Sequence, residues 1–460
     1  MKDTWKPDLQ GLSGPVYRQI ADALTGDIKS GQLGAGTCLP PHRALAFELG
    51  VTVGTVTRAF GEVARAGLIE ADGRRGSRVI AGFQRQPEED VETSILDLRG
   101  HQTPLPDFGD RVRRVLMETA LDPEFGTTIA YEAGPGRNEH REAGAFWLGE
   151  MTSSDVDPAR VVVCNGAQHA LLCALLVTCR AGERIATERL TYAGLKSVAS
   201  ALGLILVPVE IDDEGLVPES FDKVCRHEPI RVLVTVADLH NPTTSTQTED
   251  RRRQIATVAK RHSVTVIEDV AYAGLTEKPL PSIAHIAGGE SMRFAGLSKT
   301  LGPGLRIGYL EAPASQINVL AGALRATSWM ASPIQADLAS RLIQCGAAAD
   351  ILRDNREELS VRNEVVTSIL SDFDVRTSAT SPHVWLKLPD PWTREGFQSW
   401  ARHSDLLALT AESFSVSRDC PDHAVRFSIG AAPSRDTLAK HMRAIANALR
   451  NPYSLNETPA

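Results

Sequence analysis

Chemical capacity in this 460-residue chain is clearest in the run FAGLSKTLGPGLRIGYL, residues 294–310, where Lys299 stands in an apolar, glycine-rich setting. A lysine withdrawn from water loses its proton more easily. The neutral amine is then a nucleophile able to form a Schiff base with a carbonyl group. Most lysines face solvent and carry no such message, so the surroundings set this one apart. A second run, VVVCNGAQHALLCAL from residue 161, reads as a strand, a glycine-containing turn and a helix. Its turn, Gly166-Ala167-Gln168, offers free backbone N–H groups and the positive end of a helix dipole to a phosphate.

The elements that must position these residues follow from periodicity. From about Leu96 onward, Val/Ile-rich runs alternate with helical patterns. VVVC (161–164), RIAT (184–187), ILVPV (205–209), VLVTV (232–236) and VTVIED (264–269) are the expected strands, with helices between them. That alternation predicts an α/β domain over 96–460 with a mostly parallel sheet, whose ligands sit at the carboxyl ends of the strands. The preceding residues, 82–95, are polar and aperiodic and read as a linker spanning up to about 45 Å when extended.

Residues 10–81 have a different pattern. Val16, Ile20, Leu24 and Ile28 recur at helical spacing until Gly31. LPPHRALAFELG predicts a second helix from near Pro41, stopped by Gly50, and TVTRAFGEVARAGLI a third with Val56, Phe60, Val63 and Leu68 inward. EADGRRGSRVI then reads as a hairpin with a basic tip. Two helices joined by a short turn and followed by such a hairpin form a winged helix-turn-helix for double-stranded DNA. Thr55, Thr57 and Arg58 lie near the start of the recognition helix, Arg43 begins the helix before it, and Arg74 and Arg75 occupy the wing tip.

From VYRQIADAL through LPPHRALAFELGVTVGTVTRAF to GLIEADGRRGSRV, the chain resembles the DNA-binding domain of the GntR family. The Lys299 run resembles the cofactor-lysine motif of fold-type I pyridoxal-phosphate enzymes, and specifically that of the MocR subfamily of GntR regulators. The resemblance extends from about Pro15 to about Leu449. It implies pyridoxal 5'-phosphate held as a Schiff base on Lys299, with Arg306 on its phosphate and Ser298 beside it. Asp269, in IEDVAYAGL, is implied to hold the ring nitrogen protonated, the ring's charge in turn keeping Asp269 ionised. Tyr272 and Asn241 are implied to meet the ring oxygen, Tyr192 to stack on the ring, and the Gly166-Ala167-Gln168 turn to take the phosphate. The resemblance further implies that Arg426, in AVRFSIGA, clamps an effector carboxylate. It also implies that Tyr131 reaches the phosphate of the neighbouring subunit in a head-to-tail homodimer, and that the body ends in a smaller α+β subdomain. One position departs from the family: Gly296 stands where Ser or Thr normally bonds the phosphate.

Composition narrows the setting. A hydrophobic fraction of 42% and a charged fraction of 23% suit a globular protein. Net charge is −8, but residues 1–80 carry ten Lys/Arg against eight Asp/Glu, a net of +2, and the remainder 39 against 49, a net of −10. A slightly basic head on an acidic body fits a DNA-binding module joined to something else. The opening MKDTWKPDLQ has no apolar core of a signal peptide, and no stretch is long enough to span a bilayer. Seven cysteines without a C-x-x-C pair argue against a disulfide framework or a zinc site, so a cytoplasmic protein is expected. Three readings stay open. In the first, DNA binding responds to the cofactor or to an amino compound or vitamer effector. The second is a working aminotransferase carrying a DNA-binding head, and the third a regulator that uses the body as a scaffold.

Overall fold

The structure, a computed structural model, describes residues 5–7, 14–29, 32–33, 37–65, 68–71, 77–79, 95–105, 107–132 and 134–451. They divide into two units, Met1–Thr93 and Ser94–Ala460.

In the first unit, helices Val16–Lys29, His42–Leu49 and Val53–Arg65 precede an antiparallel pair, Ile69–Ala71 with Ser77–Val79. Ile20, Leu24, Ile28, Leu45, Val56, Phe60, Val63, Ile69 and Val79 form its core. Val16, placed on the same stripe by spacing, is 43% exposed because it opens the helix before the stripe meets its neighbours. The third helix starts two residues earlier than the sequence suggests. Thr52 accounts for this: its Oγ accepts the Thr55 N–H at 3.2 Å, a side-chain cap that lets the helix begin at Val53. Wing-tip residues Arg74 and Arg75 lie outside the described residues.

The second unit is built on a seven-stranded sheet in the order Val161–Cys164, Gly308–Glu311, Met292–Gly296, Thr265–Asp269, Ile230–Thr235, Arg184–Glu188, Ile205–Val209. Every pairing is parallel except the two made by Gly308–Glu311. The five expected strands are present with ends shifted by at most two residues, and two more, Met292–Gly296 and Gly308–Glu311, flank Lys299. Side chains alternate across the sheet. Val162 and Cys164 pack with helices Ala167–Thr178, Ala193–Ala201 and Ile317–Ser328, whereas Val161 and Val163 join the core of Asn138–Thr152 and Pro333–Gln344. Burial on both faces explains the near-continuous apolar strands. Toward the C-terminus a four-stranded antiparallel sheet, Val375–Arg376, His383–Lys387, Ala424–Ser428 and Leu409–Thr410, packs with helices Ala347–Ile369, Arg394–His403 and Arg435–Arg450. This is the smaller α+β subdomain. Leu96–Asp97 pairs in parallel with Leu406–Leu407, so the first segment of the second unit belongs to this smaller part. Among the described residues, no helix is long and apolar enough to cross a membrane.

Candidate functional site

Parallel strands end at the same edge of a sheet, and here that edge gathers residues far apart in sequence. A cavity of ≈190 Å³ is lined by Ala167 and Gln168 after the first strand, Tyr192 after Arg184–Glu188, and Val236 and Asn241 after Ile230–Thr235. Asp269, Ala271 and Tyr272 follow from Thr265–Asp269; Gly296, Ser298, Lys299 and Arg306 complete the lining. All of the cofactor-site residues read from the sequence meet there except two. Gly166 sits directly behind the lining turn. Tyr131 stands apart, 86% exposed, with its ring edge-on to Trp329 at 6.1 Å.

The donor set fits a phosphorylated pyridine. No side chain caps the N-terminus of helix Ala167–Thr178, so its first amides remain available to an anion. A Cβ placed on Gly166 would sit 2.8 Å from the Arg306 guanidinium, so the bare backbone is what lets that cation approach the turn. Arg306 donates to Ser298 Oγ at 3.0 Å. The Tyr192 hydroxyl donates to Gln168 Oε1 at 3.2 Å, and Gln168 Nε2 is tied to the Gly194 carbonyl at 2.8 Å, which fixes the aromatic ring over the cavity wall. Asn241 Oδ1 accepts from Arg426 at 2.9 Å, leaving its Nδ2 donor for an oxygen in the cavity.

Burial sets the electrostatics. Desolvation, helped by the Arg426 and Arg306 charges and opposed by Asp269, pushes the Lys299 amine down to about 8. Desolvation pushes Asp269 up to about 6, against the Ala271 N–H bonded to its Oδ1 at 2.9 Å and the nearby Lys299. A cationic ring nitrogen facing Asp269 would draw it back down. Burial raises the Tyr272 and Tyr192 hydroxyls, so both stay phenols, able to donate.

The first unit presents an open surface instead. Arg43 and Thr57 are exposed, with Thr57 Oγ 3.1 Å from His42 Nδ1. Arg58 stacks over the Tyr17 ring at 3.9 Å and donates to its hydroxyl at 3.3 Å. Thr55, half-buried, is engaged by Thr52 at the helix start. Phe47, which spacing did not single out, is 89% exposed.

Comparison with known proteins matches these two units to two families. Residues 104–445 match the model of aminotransferase class I and II, and residues 16–79 that of bacterial regulatory proteins of the gntR family. The uncharacterized HTH-type transcriptional regulator YdeF of Bacillus subtilis is 30% identical over 95% of this chain and 94% of its own length. This chain is a GntR-family regulator of the MocR type. The vitamin B6 salvage pathway transcriptional repressor PtsJ of Salmonella typhimurium is 26% identical over 91% of this chain and 95% of its own. Among solved structures, an archaeal alanine:glyoxylate aminotransferase superposes with a TM-score of 0.71 at 18% identity, covering 79% of this chain and 92% of that one. That likeness shows the fold. A gntR-type head implies DNA binding, and an aminotransferase class I and II body implies dependence on pyridoxal phosphate.

Within this MocR-type site, the departure at Gly296 has a steric cause. A Cβ at 296 would lie 3.0 Å from both Ala167 Cβ and Ala167 N. Gly308, paired across the sheet with Gly296, meets the same turn: a Cβ there would lie 2.5 Å from the Gly166 carbonyl carbon. The Gly166–Ala167 turn thus rests on two bare glycines, and Ser or Thr at 296 would need it to give by a few tenths of an ångström. Two histidines beside Tyr272 were not singled out by sequence. His383 Nε2 lies 3.0 Å from Tyr272 Oη, and its Nδ1 lies 3.4 Å from Ser428 Oγ. The ring of His101 stands 6.5 Å from that of Tyr272 and 6.4 Å from that of His383. Arg426 is buried here as well, over Phe414, donating to the Arg99 carbonyl. The signal available in sequence was slight: histidines in LDLRGHQTPLP and SPHVWLKLP, neither in a spaced motif.

Proposed function

We propose that this chain is a sequence-specific DNA-binding transcription regulator whose body holds pyridoxal 5'-phosphate on Lys299 and whose DNA binding responds to an amino-compound effector or to the cofactor itself. The observation that carries this reading is one cavity at the strand ends that joins an amine lowered to about 8, a buried acid and an uncapped helix N-terminus. When bound, the cofactor supplies a carbonyl carbon that amines attack and a ring that withdraws electrons. Lys299, near half neutral around pH 8, is the nucleophile that holds it. Asp269 keeps a proton on the ring nitrogen, Tyr272 and Asn241 Nδ2 donate to the ring oxygen, and Tyr192 stacks on the ring. Ala167, Gln168, Ser298 and Arg306 take the phosphate, joined by Tyr131 of a second subunit. Arg426 offers its guanidinium to an effector carboxylate. An effector that binds one arrangement of the body more tightly than another shifts the population of the head arrangements able to occupy paired half-sites. Arg43, Thr55, Thr57 and Arg58 carry the DNA contact, with Arg74 and Arg75 at the wing tip, in a cytoplasmic homodimer.

A second reading, amino-group transfer, is favoured by one observation: Lys299 lies where it can carry a proton at near-neutral pH. Keto-acid formation from a defined amino donor without a specific DNA footprint would select it. The test of the first reading is the visible spectrum of the purified protein with added pyridoxal phosphate, beside Lys299→Ala, with operator binding measured in parallel. A visible band in the parent and none in the variant is expected. A colourless parent overturns the cofactor role and leaves the body a scaffold.

A further inference from the structure

His383 and Ser428 are cross-strand partners in the four-stranded sheet, so their side chains stand on one face, and that face meets Tyr272. The backbone of His383 is held firmly. Ser381 Oγ accepts from its N–H at 3.1 Å and donates to its carbonyl at 2.8 Å. The ring stands edge-on to Tyr272 at 5.1 Å. Burial keeps it neutral, with Arg426, His101, Lys299 and His240 facing it from other segments. Tyr272 faces Arg426 and Asp269 in turn, and burial keeps it a phenol. A neutral imidazole carries one N–H and one bare nitrogen, so the chain Ser428–His383–Tyr272 has two possible wirings. With the proton on Nδ1, the buried Ser428 hydroxyl would be a donor without an acceptor, because its one side-chain partner among the described residues is that nitrogen. The other wiring avoids this cost. With the proton on Nε2, Ser428 donates to Nδ1 at 3.4 Å and Nε2–H donates to Tyr272 Oη at 3.0 Å. The tyrosine then keeps its own proton for the cavity it lines.

We propose that His383 is a positioning residue for the cofactor: by donating from Nε2 to Tyr272 Oη, with Ser428 fixing the tautomer, it turns the Tyr272 proton toward the ring oxygen. The inference rests on the reading of the cavity as the cofactor's site. Hydrogen bonds in a chain polarise one another, so a hydroxyl that accepts from an imidazole is a stronger donor than one that accepts from nothing. The opposite wiring has the opposite result, since Tyr272 would then spend its proton on Nε2 and the ring oxygen would lose a donor. His101 does not take this part, because the Lys299 backbone takes its hydrogen bond.

The experiment is a pH titration of the visible band of full-length protein loaded with pyridoxal phosphate, in the parent, His383→Phe, His383→Gln and Ser428→Ala. The band reports the proton that the ring oxygen shares with the nitrogen joining Lys299 to the cofactor. Once that proton leaves, the anionic oxygen depends on donors from the protein, so a weaker Tyr272 donor moves the transition to higher pH. His383→Phe is expected to raise the midpoint by about 0.5 to 1 pH, the equivalent of one neutral hydrogen bond. His383→Gln, which brings back an N–H, should return it to within about 0.3 pH of the parent, and Ser428→Ala should raise it by less than His383→Phe does. In a Tyr272→Phe background, replacing His383 should move nothing further, because the effect runs through that hydroxyl. A His383→Phe midpoint that stays or falls overturns the proposal, a fall showing that His383 takes the tyrosine's proton. So does an equal rise in the Tyr272→Phe background, or a His383→Gln midpoint as high as that of His383→Phe. Should His383→Phe not hold the cofactor, Ser428→Ala carries the test, and a midpoint that stays or falls there overturns the proposal in the same way. A parent that shows no band with pyridoxal phosphate overturns the cofactor reading and this inference together, whereas a banded parent indifferent to His383 overturns this one alone.

Discussion

The two units of this chain handle charge in opposite ways. In the first, Arg43, Thr57 and Arg58 stand at the surface on short helices, and Arg58 rests on Tyr17 rather than in a core. In the second, Asp269, Arg426, His101 and His383 are buried and Lys299 is half-buried; each is shifted from its ordinary pKa, chiefly by desolvation. The difference matches the tasks. A surface that reads a phosphate backbone works by exchanging hydrated counterions, so its cations must stay in water. A site that holds a carbonyl compound needs a neutral amine and a dry acid, which only burial supplies.

Asp269 puts this contrast to its most severe test. Folding raises its pKa from the usual carboxylate value to about 6, so the folded state binds the proton more tightly and stability falls as pH rises from about 4 to about 6. Asp269→Asn removes that penalty. The cofactor-free variant is expected to be more stable than the parent at pH 7 by about 1–3 kcal/mol, measured by urea unfolding, while its affinity for pyridoxal phosphate falls about a hundredfold or more. Unchanged stability would mean that the acid is not strained by its burial. Next comes Gly296→Ser, which restores the residue type usual in the family. With Ala167 only 3.0 Å from the new Cβ, the variant is expected to lose about 1–3 kcal/mol of stability without tighter cofactor binding. A gain in cofactor affinity would show that the turn yields. The smallest effect belongs to the head. Arg58→Ala should weaken operator binding by about tenfold and lower the salt slope by about one, with the visible band untouched. A change in that band would show the two units to be less separable than their chemistry suggests.

Much of the site was legible because each of its parts travels with a strand end. Gly166–Gln168, Asn241, Asp269 and Lys299 sit just past apolar runs whose type is written locally, and a parallel sheet places such ends together. Two strands escaped: Met292–Gly296 and Gly308–Glu311 lie inside the Lys299 motif, where glycine and a lysine-bearing loop hide the extended pattern. His101 and His383 escaped for a different reason. They meet Tyr272 through pairings of Leu96–Asp97 with Leu406–Leu407 and of His383–Lys387 with Ala424–Ser428, which link residues about 40 to 300 positions apart and leave no local period.

Local pattern was enough to find the two-part architecture, the helix-turn-helix order, and the glycine turn and lysine-bearing segment that line the cavity, because helical spacing, glycine placement and apolar runs are properties of neighbouring residues. The folded chain was needed to settle that Gly296 lies close beneath Ala167, that Arg426 is already engaged by Asn241, and that His101 and His383 come together beside Tyr272. Close contact and desolvation arise from which surfaces come together, and that depends on the whole chain having folded.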